Sequence, residues 1–421
     1  LDVGTSVILA VSLTMVNGFT GQFSMGHAAF MLVGAYVAAT LVYYGSFRLY
    51  GDAGVHGGAI STMLDPARRG ASLPWATGAD LLFLAAALAG GLASAACGYL
   101  VGLPSLRLKG DYLAIVTLGF GEIVRVIIQS QTSTTLAVGD EVTTEHLGTI
   151  AAWHGAAEYD SISAAMINQV PVHQWPRFVG GSLGFTGLPF YTNLFWVFLF
   201  AGLTLVVAHR LKASSYGRAF LSIREDEIAS EAMGVDTTRY KVRAFVVSAF
   251  FAGVAGALFA HTSGVQLNPG ELGFQKSFDI IIMVVLGGLG SISGAALAAG
   301  IVTVLPEMLR TPEFLASLWP YGLGAVALGV IGTFALRAAG RSAGLAKVFI
   351  VGGVVTIVLS VLAVWAQQKS VDLGRYRMVM FALALILMMI LRPQGLLGVR
   401  EIWERSLWRE VFRKVKAGGG R

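Results

Sequence analysis

Residues 277–309 read SFDIIIMVVLGGLGSISGAALAAGIVTVLPEML. At about 1.5 Å per residue a continuous helix of this length would reach about 50 Å, whereas a bilayer's hydrocarbon core is about 30 Å thick. The stretch is too long for one crossing and short for two, and Gly287, Gly288 and Gly290 interrupt it. Its reading fixes the sidedness of everything that follows it.

The surrounding chain supplies further apolar runs of spanning length, at 3–19, 24–44, 80–103, 112–130, 191–208, 244–262, 318–336, 346–366 and 376–391. Only 13% of the 421 residues are charged, against about 25% in a soluble domain, which excludes an ordinary soluble enzyme. The net charge of +6 does not point to nucleic acid, because Lys and Arg sit in a few clusters between apolar runs. Cys97 is the single cysteine, which excludes a disulfide framework and a CxxC zinc site; it reads as a small buried hydrophobe. The chain begins at Leu1 inside an apolar run without a basic flank, so no cleavable signal peptide is expected and the true N-terminus is expected upstream.

Positive charge in short loops marks the cytoplasmic side. Residues 209–243 carry seven Lys/Arg, whereas 131–190 carry Arg177 alone against five acids. With 209–243 inside, a single crossing over 277–309 would leave the eight Lys/Arg from Arg392 onward outside; two short crossings joined at the glycines bring them inside. The second reading places 20 of the 30 Lys/Arg inside. The expectation is an all-α polytopic membrane protein with about 10–11 transmembrane helices, an extended outer loop over 131–190 and a cytoplasmic C-terminus. In the tail, Trp403, Leu407, Val411 and Val415 recur every four residues, which predicts an amphipathic helix lying on the membrane surface over 399–421.

Catalytic signatures are absent: the chain has no GxxxxGK[ST] phosphate loop, no HExxH and no GxSxG. Neither an enzyme nor a resident metal is expected. Ionisable residues inside a span are functional candidates because each costs about 3 kcal/mol at mid-membrane. Glu122 and Arg125 are three apart on one helical face and can pair; two readings stand, a transport pathway and a structural clasp between helices. His27 and His261 lie in or beside spans, each alone, and read as satisfied polar groups or a wet pathway wall. Gly253 and Gly256 with Ala252, Ala255 and Ala257, and Gly287, Gly288, Gly290 and Gly294, supply the small residues that let helices approach closely in lipid.

Residues 217–241 read GRAFLSIREDEIASEAMGVDTTRYK. Ile223, Ile228, Ala229, Ala232 and Met233 can share one side of a short helix that stops near Gly234, with Glu225, Asp226 and Glu227 towards its start. Such a helix either lies at the interface or fits a groove on a soluble partner. Five acids among its charges favour the partner over an anionic lipid surface.

Several stretches resemble the M-type permease subunits of branched-chain amino acid ABC importers. They are GFTGQFSMGHAAF (18–30), KGDYLAIVTLGFGEIVR (109–125), the loop just quoted, FVVSAFFAGVAGALFAH (245–261), MVVLGGLGSISGA (283–295) and YRMVMFALALILMMILRPQGLLG (376–398). The resemblance implies a transmembrane permease domain over 1–398 in a bacterial inner membrane. Its implied partners are a second homologous permease subunit, two cytoplasmic ATP-binding subunits and a periplasmic amino-acid-binding protein, with no cofactor on this chain and ATP on the partners. It also implies that Gly217, Arg218, Arg224, Glu225, Glu227, Glu231, Ala232 and Gly234 belong to a segment that docks on the ATPase. Gln22, Ser24, His27, Thr117, Glu122 and Arg125 are the candidate pathway or intramembrane polar positions within the matched runs. The sequence departs from the family pattern at 45–79, at 131–179 and at 311–375, the last containing an inserted pair of apolar runs. A urea or short-amide permease of the same superfamily and an ion-coupled secondary transporter are the alternatives.

Overall fold

The computed structural model describes residues 1–62, 74–105, 111–131, 135–142, 161–262 and 266–310, with isolated positions beyond. The runs at 318–336, 346–366 and 376–391, the pair inserted within 311–375 and the tail helix over 399–421 lie outside the described residues apart from such single positions. Among the described residues the long elements are helices: α1 Asp2–Leu13, α2 His27–Tyr50, α3 Ala59–Thr62, α4 Gly78–Ser105, α5 Asp111–Gln129, α6 Ala164–Gln169, α7 Leu194–Ala213, α8 Ser215–Glu225, α9 Glu227–Ala232, α10 Thr237–Ala260, α11 Phe274–Gly287 and α12 Ile292–Arg310. Five are long and apolar enough to cross a membrane: α2, α4, α5, α7 and α10. The protein is an all-α polytopic membrane protein, as its composition requires. It forms two compact units, Leu1–Val285 and Leu286–Arg421.

In the first unit, α2, α4 and α10 make a three-helix core joined by their smallest residues. A Cβ placed on Gly34 would lie 2.2 Å from the Gly253 carbonyl, one on Gly90 2.6 Å from the Gly34 carbonyl, and one on Gly256 2.0 Å from the Met31 carbonyl. The pairings of Gly34 with Gly90 and of Gly45 with Leu82 show α4 running antiparallel to α2. Ser94 adds a buried hydrogen bond to the Phe30 carbonyl at 2.7 Å. Close backbone approach replaces the hydrophobic driving force that lipid removes between helices. Around this core, α5 and α7 bare apolar side chains such as Ile115, Ile123, Phe198 and Val206, as lipid-facing helices do.

The far end of α2 pegs down the long connections. The hydroxyls of Tyr36, Tyr43 and Tyr44 donate to the carbonyls of Leu267, Leu136 and Phe178 at 2.7–2.8 Å. Isolated bridges Thr135–Val179 and Phe185–Leu267 tie the same region. The described parts of 131–190 are therefore folded against the bundle.

Asp80, 2% exposed, closes the start of α4. It accepts from the Thr77 and Gly58 amides, both at 2.8 Å, and from the Ser61 hydroxyl; the first of these is the acidic half of a capping box. Ser61 in turn accepts from the Trp196 indole at 3.2 Å, and Asn193 donates to the Ile60 carbonyl. One carboxylate thus straps the 51–62 connection to α4 and, through Ser61, to α7. Asp80→Ala is expected to orphan those donors and cost about 2–3 kcal/mol, read as a lower unfolding midpoint in detergent with membrane insertion retained. On the same connection, the hydrogen bond from His56 holds the Asp52 carboxyl below its usual range.

The 277–309 stretch is two helices, as the glycines predict. Helix α11 ends at Gly287, Gly288 and Gly290 have φ of 106° and 99°, and α12 begins at Ile292. In the second unit, a Cβ on Gly287 would stand 2.5 Å from the Gly294 and Ala295 backbones, so the turn closes tightly. The α12 N-terminus is capped by Glu401, which accepts from the Ile292 and Ser293 amides at 2.9 Å each and from the Ser293 hydroxyl at 2.6 Å. A buried carboxylate on unsatisfied helix-end amides is an electrostatically favourable cap.

Candidate functional site

Helix α1 does not run straight into α2. It widens into a π-turn over Thr14–Gly18, and residues 19–26 then run without helical structure, largely buried except at Gly21. Gly21 takes φ 71°, a left-handed value that glycine adopts without strain. The segment is held by its own polar groups: Asn17 Oδ1 accepts from the Ser24 amide at 3.2 Å, and Thr117 Oγ1 on α5 accepts from the Met25 amide at 3.0 Å. A Cβ on Gly26 would lie 2.5 Å from the Thr117 carbonyl. His27, the first residue of α2, has Nε2 2.8 Å from Ser12 Oγ. Ser12 Oγ also stands 2.9 Å from the Leu9 carbonyl, so the hydroxyl bridges the ring and the α1 backbone. His27 is thus a satisfied polar group, while Gln22 Oε1 is buried without a hydrogen-bond partner among the described residues.

Beside this segment lies a narrow cleft of ≈ 10 Å³, room for about one water, lined by Met25 and Ala29, by Leu118 and Glu122 of α5, and by Leu272, Phe274 and Ser277. Glu122 Oε2 accepts from Arg125 Nε at 2.7 Å and lies 2.6 Å from Nη2. Arg125 Nη1 also donates to Gln129 at 3.0 Å. These partners all belong to α5. Among the described residues the pair makes no hydrogen bond to a second helix. Its side chains are 28% and 37% exposed, and a partly bare ion pair on a spanning helix is too costly to face lipid.

The second candidate region is the connection between α7 and α10. The sequence predicts one short helix here, and the structure has two, because Asp226 adopts an extended conformation and N-caps α9 through the Ala229 amide at 3.0 Å. The break separates Ile223, buried on α8, from Ile228, Ala229, Ala232 and Met233, all exposed on α9. The predicted apolar face thus exists without Ile223. Helix α9 ends in a Schellman motif, with Gly234 N donating to Glu231 O and Val235 N to Ser230 O; Gly234 has φ 86°. Lys241 on α10, 5% exposed at its side chain, pairs with Glu227 at 2.6 Å, and the Thr237 hydroxyl donates to Glu231 at 2.6 Å. Gly217 is fixed by space, since a Cβ there would be 2.1 Å from the Lys212 carbonyl. Arg218, Glu225 and Ala232 are exposed. Arg224 instead turns inward and donates to the Gly18 carbonyl at 2.8 Å.

The family described as branched-chain amino acid transport system / permease component matches residues 1–317. The chain belongs to this family. Among its relatives, the high-affinity branched-chain amino acid transport system permease proteins LivM of Salmonella typhimurium and Escherichia coli are each 33% identical over 312 residues, covering 72% of this chain and 61% of theirs. The chain thus spans less than two thirds of the length of these relatives. The permease protein LivH of Salmonella typhimurium is 32% identical over 139 residues, covering 33% of this chain and 43% of LivH. No solved structure matches.

The permease-family chain gathers its predicted polar residues unequally. Ser24, Thr117 and Glu122 meet around the 19–26 segment and the cleft, whereas His27 is turned to α1. Sequence reading missed Asp80, Lys241, Glu401 and the Arg224–Gly18 contact. Lys241 stands between Arg239 and Arg243 in the first turns of α10, so its type and position in the sequence do not single it out.

Proposed function

We propose that the protein is the membrane-spanning permease subunit of an ATP-driven importer for branched-chain, hydrophobic amino acids. It works beside a second homologous permease subunit, with two cytoplasmic ATP-binding subunits and a periplasmic binding protein that delivers the substrate. The observation that carries this reading is the α9 face: Ile228, Ala229, Ala232 and Met233 stand exposed on a short helix that Glu227–Lys241 and Glu231–Thr237 bolt to a spanning helix. An apolar patch on a rigid mount suits a soluble partner's groove, and the mount carries the partner's motion into the bundle. Relatives named as branched-chain amino acid permease proteins support the substrate class. We place the narrow cleft beside Glu122 on the transport pathway, as the closed remnant of a passage that must widen between Met25, Leu118, Leu272 and Phe274 before an aliphatic side chain can pass.

The test is ATP hydrolysis and leucine uptake by the assembled complex in lipid vesicles, with and without a leucine-loaded binding protein. Stimulation of both by the loaded binding protein is the expected result. Uptake driven by an ion gradient with no ATPase present would replace this reading with a secondary transporter, and stimulation only by a urea- or amide-loaded protein would change the substrate.

A further inference from the structure

We propose that Arg224 is the positioning residue that transmits movement of α8 and α9 to the 19–26 segment, and so to the edge of the cleft. The proposal rests on the reading of α9 as the ATPase-docking face. Its starting point is that Arg224, although in the docking connection, is not part of the exposed face: its guanidinium donates to the Gly18 carbonyl at 2.8 Å. Gly18 ends the π-turn, where carbonyls lack intrahelical partners, and a cation there also meets the negative end of the helix dipole.

The contact is broader than one hydrogen bond. A Cβ on Gly21 would lie 3.1 Å from Arg224 Cγ and 3.5 Å from its Cα and Cβ, so the backbone at Gly21 lies flat on the Arg224 stem. Four residues on, the Met25 amide donates to Thr117, and Met25 lines the cleft. The 19–26 segment therefore touches α8 at one end and the cleft at the other, with no helix of its own to resist displacement. Gln22, in its middle, has a buried side-chain carbonyl with no hydrogen-bond partner among the described residues. A buried unsatisfied group marks a segment whose polar groups can be better served in a second arrangement.

If α8 and the segment move as one body, a covalent link between them should substitute for Arg224. In a Cys97→Ala background, Gly21→Cys with Arg224→Cys would set the two Cβ atoms 3.5 Å apart, within the range a disulfide spans; because Gly21 has φ 71°, Gly21→Cys with Arg224 kept is the control for a strained backbone, and its uptake must stay near that of the unaltered protein for the rescue to be read. Arg224→Ala and the reduced double variant are expected to keep the ATPase subunits bound and hydrolysing while leucine uptake falls about tenfold, a size typical of coupling between sites. Oxidation of the double variant should restore uptake, and Arg224→Lys should retain part of it. Wild-type uptake by Arg224→Ala would overturn the proposal, as would loss of ATPase co-purification, which would make Arg224 a docking residue. Uptake that oxidation fails to restore, in a double variant whose membrane level and ATPase binding are intact, would also overturn it. Absence of ATP-driven uptake in the unaltered complex would instead remove the importer reading, and this proposal with it.

Discussion

Gly34→Leu is expected to eliminate the folded protein. The position lies where α2, α4 and α10 touch: a Cβ there would be 2.2–2.5 Å from three backbone atoms of Gly253, and one on Gly90 2.6 Å from the Gly34 carbonyl. Backbone cannot turn aside as a flexible side chain can, so the larger residue must force two helices apart. Overpacking of this kind usually costs about 1–3 kcal/mol and more where no neighbour can yield. In lipid no hydrophobic gain between helices offsets that cost. The measurement is the amount of monodisperse protein recovered from membranes. Gly202→Leu on α7 is the control, since a Cβ there meets nothing within 4 Å. Equal recovery of the two variants would show that the three-helix junction does not hold the bundle.

Ile228→Asp combined with Met233→Asp is expected to detach the ATPase while leaving the permease intact. The two side chains are 71% and 84% exposed, so the fold of this chain loses nothing by their change. Each buried apolar anchor of an interface is commonly worth about 2 kcal/mol, and the pair together about 4 kcal/mol, close to a thousandfold in affinity. Co-purification of the ATP-binding subunits should fail at concentrations where the unaltered protein retains them, and uptake should fall with it. Retention of the ATPase by the double variant would move the docking surface elsewhere.

Much of the fold was legible because its signals are local. Apolar runs located α4 and α5 to within two residues and α2, α7 and α10 to within seven, and three glycines placed the α11–α12 break. The break at Asp226 was not legible, because Glu225, Asp226 and Glu227 read equally well as the acidic start of one helix. What separates the readings is whether Asp226 turns extended and gives its side chain to the Ala229 amide. The site was legible only in part. Glu122 and Arg125 announce each other at helical spacing, but Arg224 and Gly18 are 206 residues apart and Asp80 and Gly58 are 22 apart; no periodicity in one sequence joins such positions. The tyrosines of α2 were invisible for the same reason, since their partners are backbone carbonyls of loops.

The Glu401 cap also sets a schedule for biogenesis. It reaches back 109 residues to the Ile292 amide, and at synthesis rates of about 5–20 residues per second the ribosome makes α12 roughly 5–20 s before it makes the residue that caps it. During that interval the nascent helix end must be served by water or by the insertion machinery, so the start of α12 reaches its final hydrogen bonding only after Glu401 has been made.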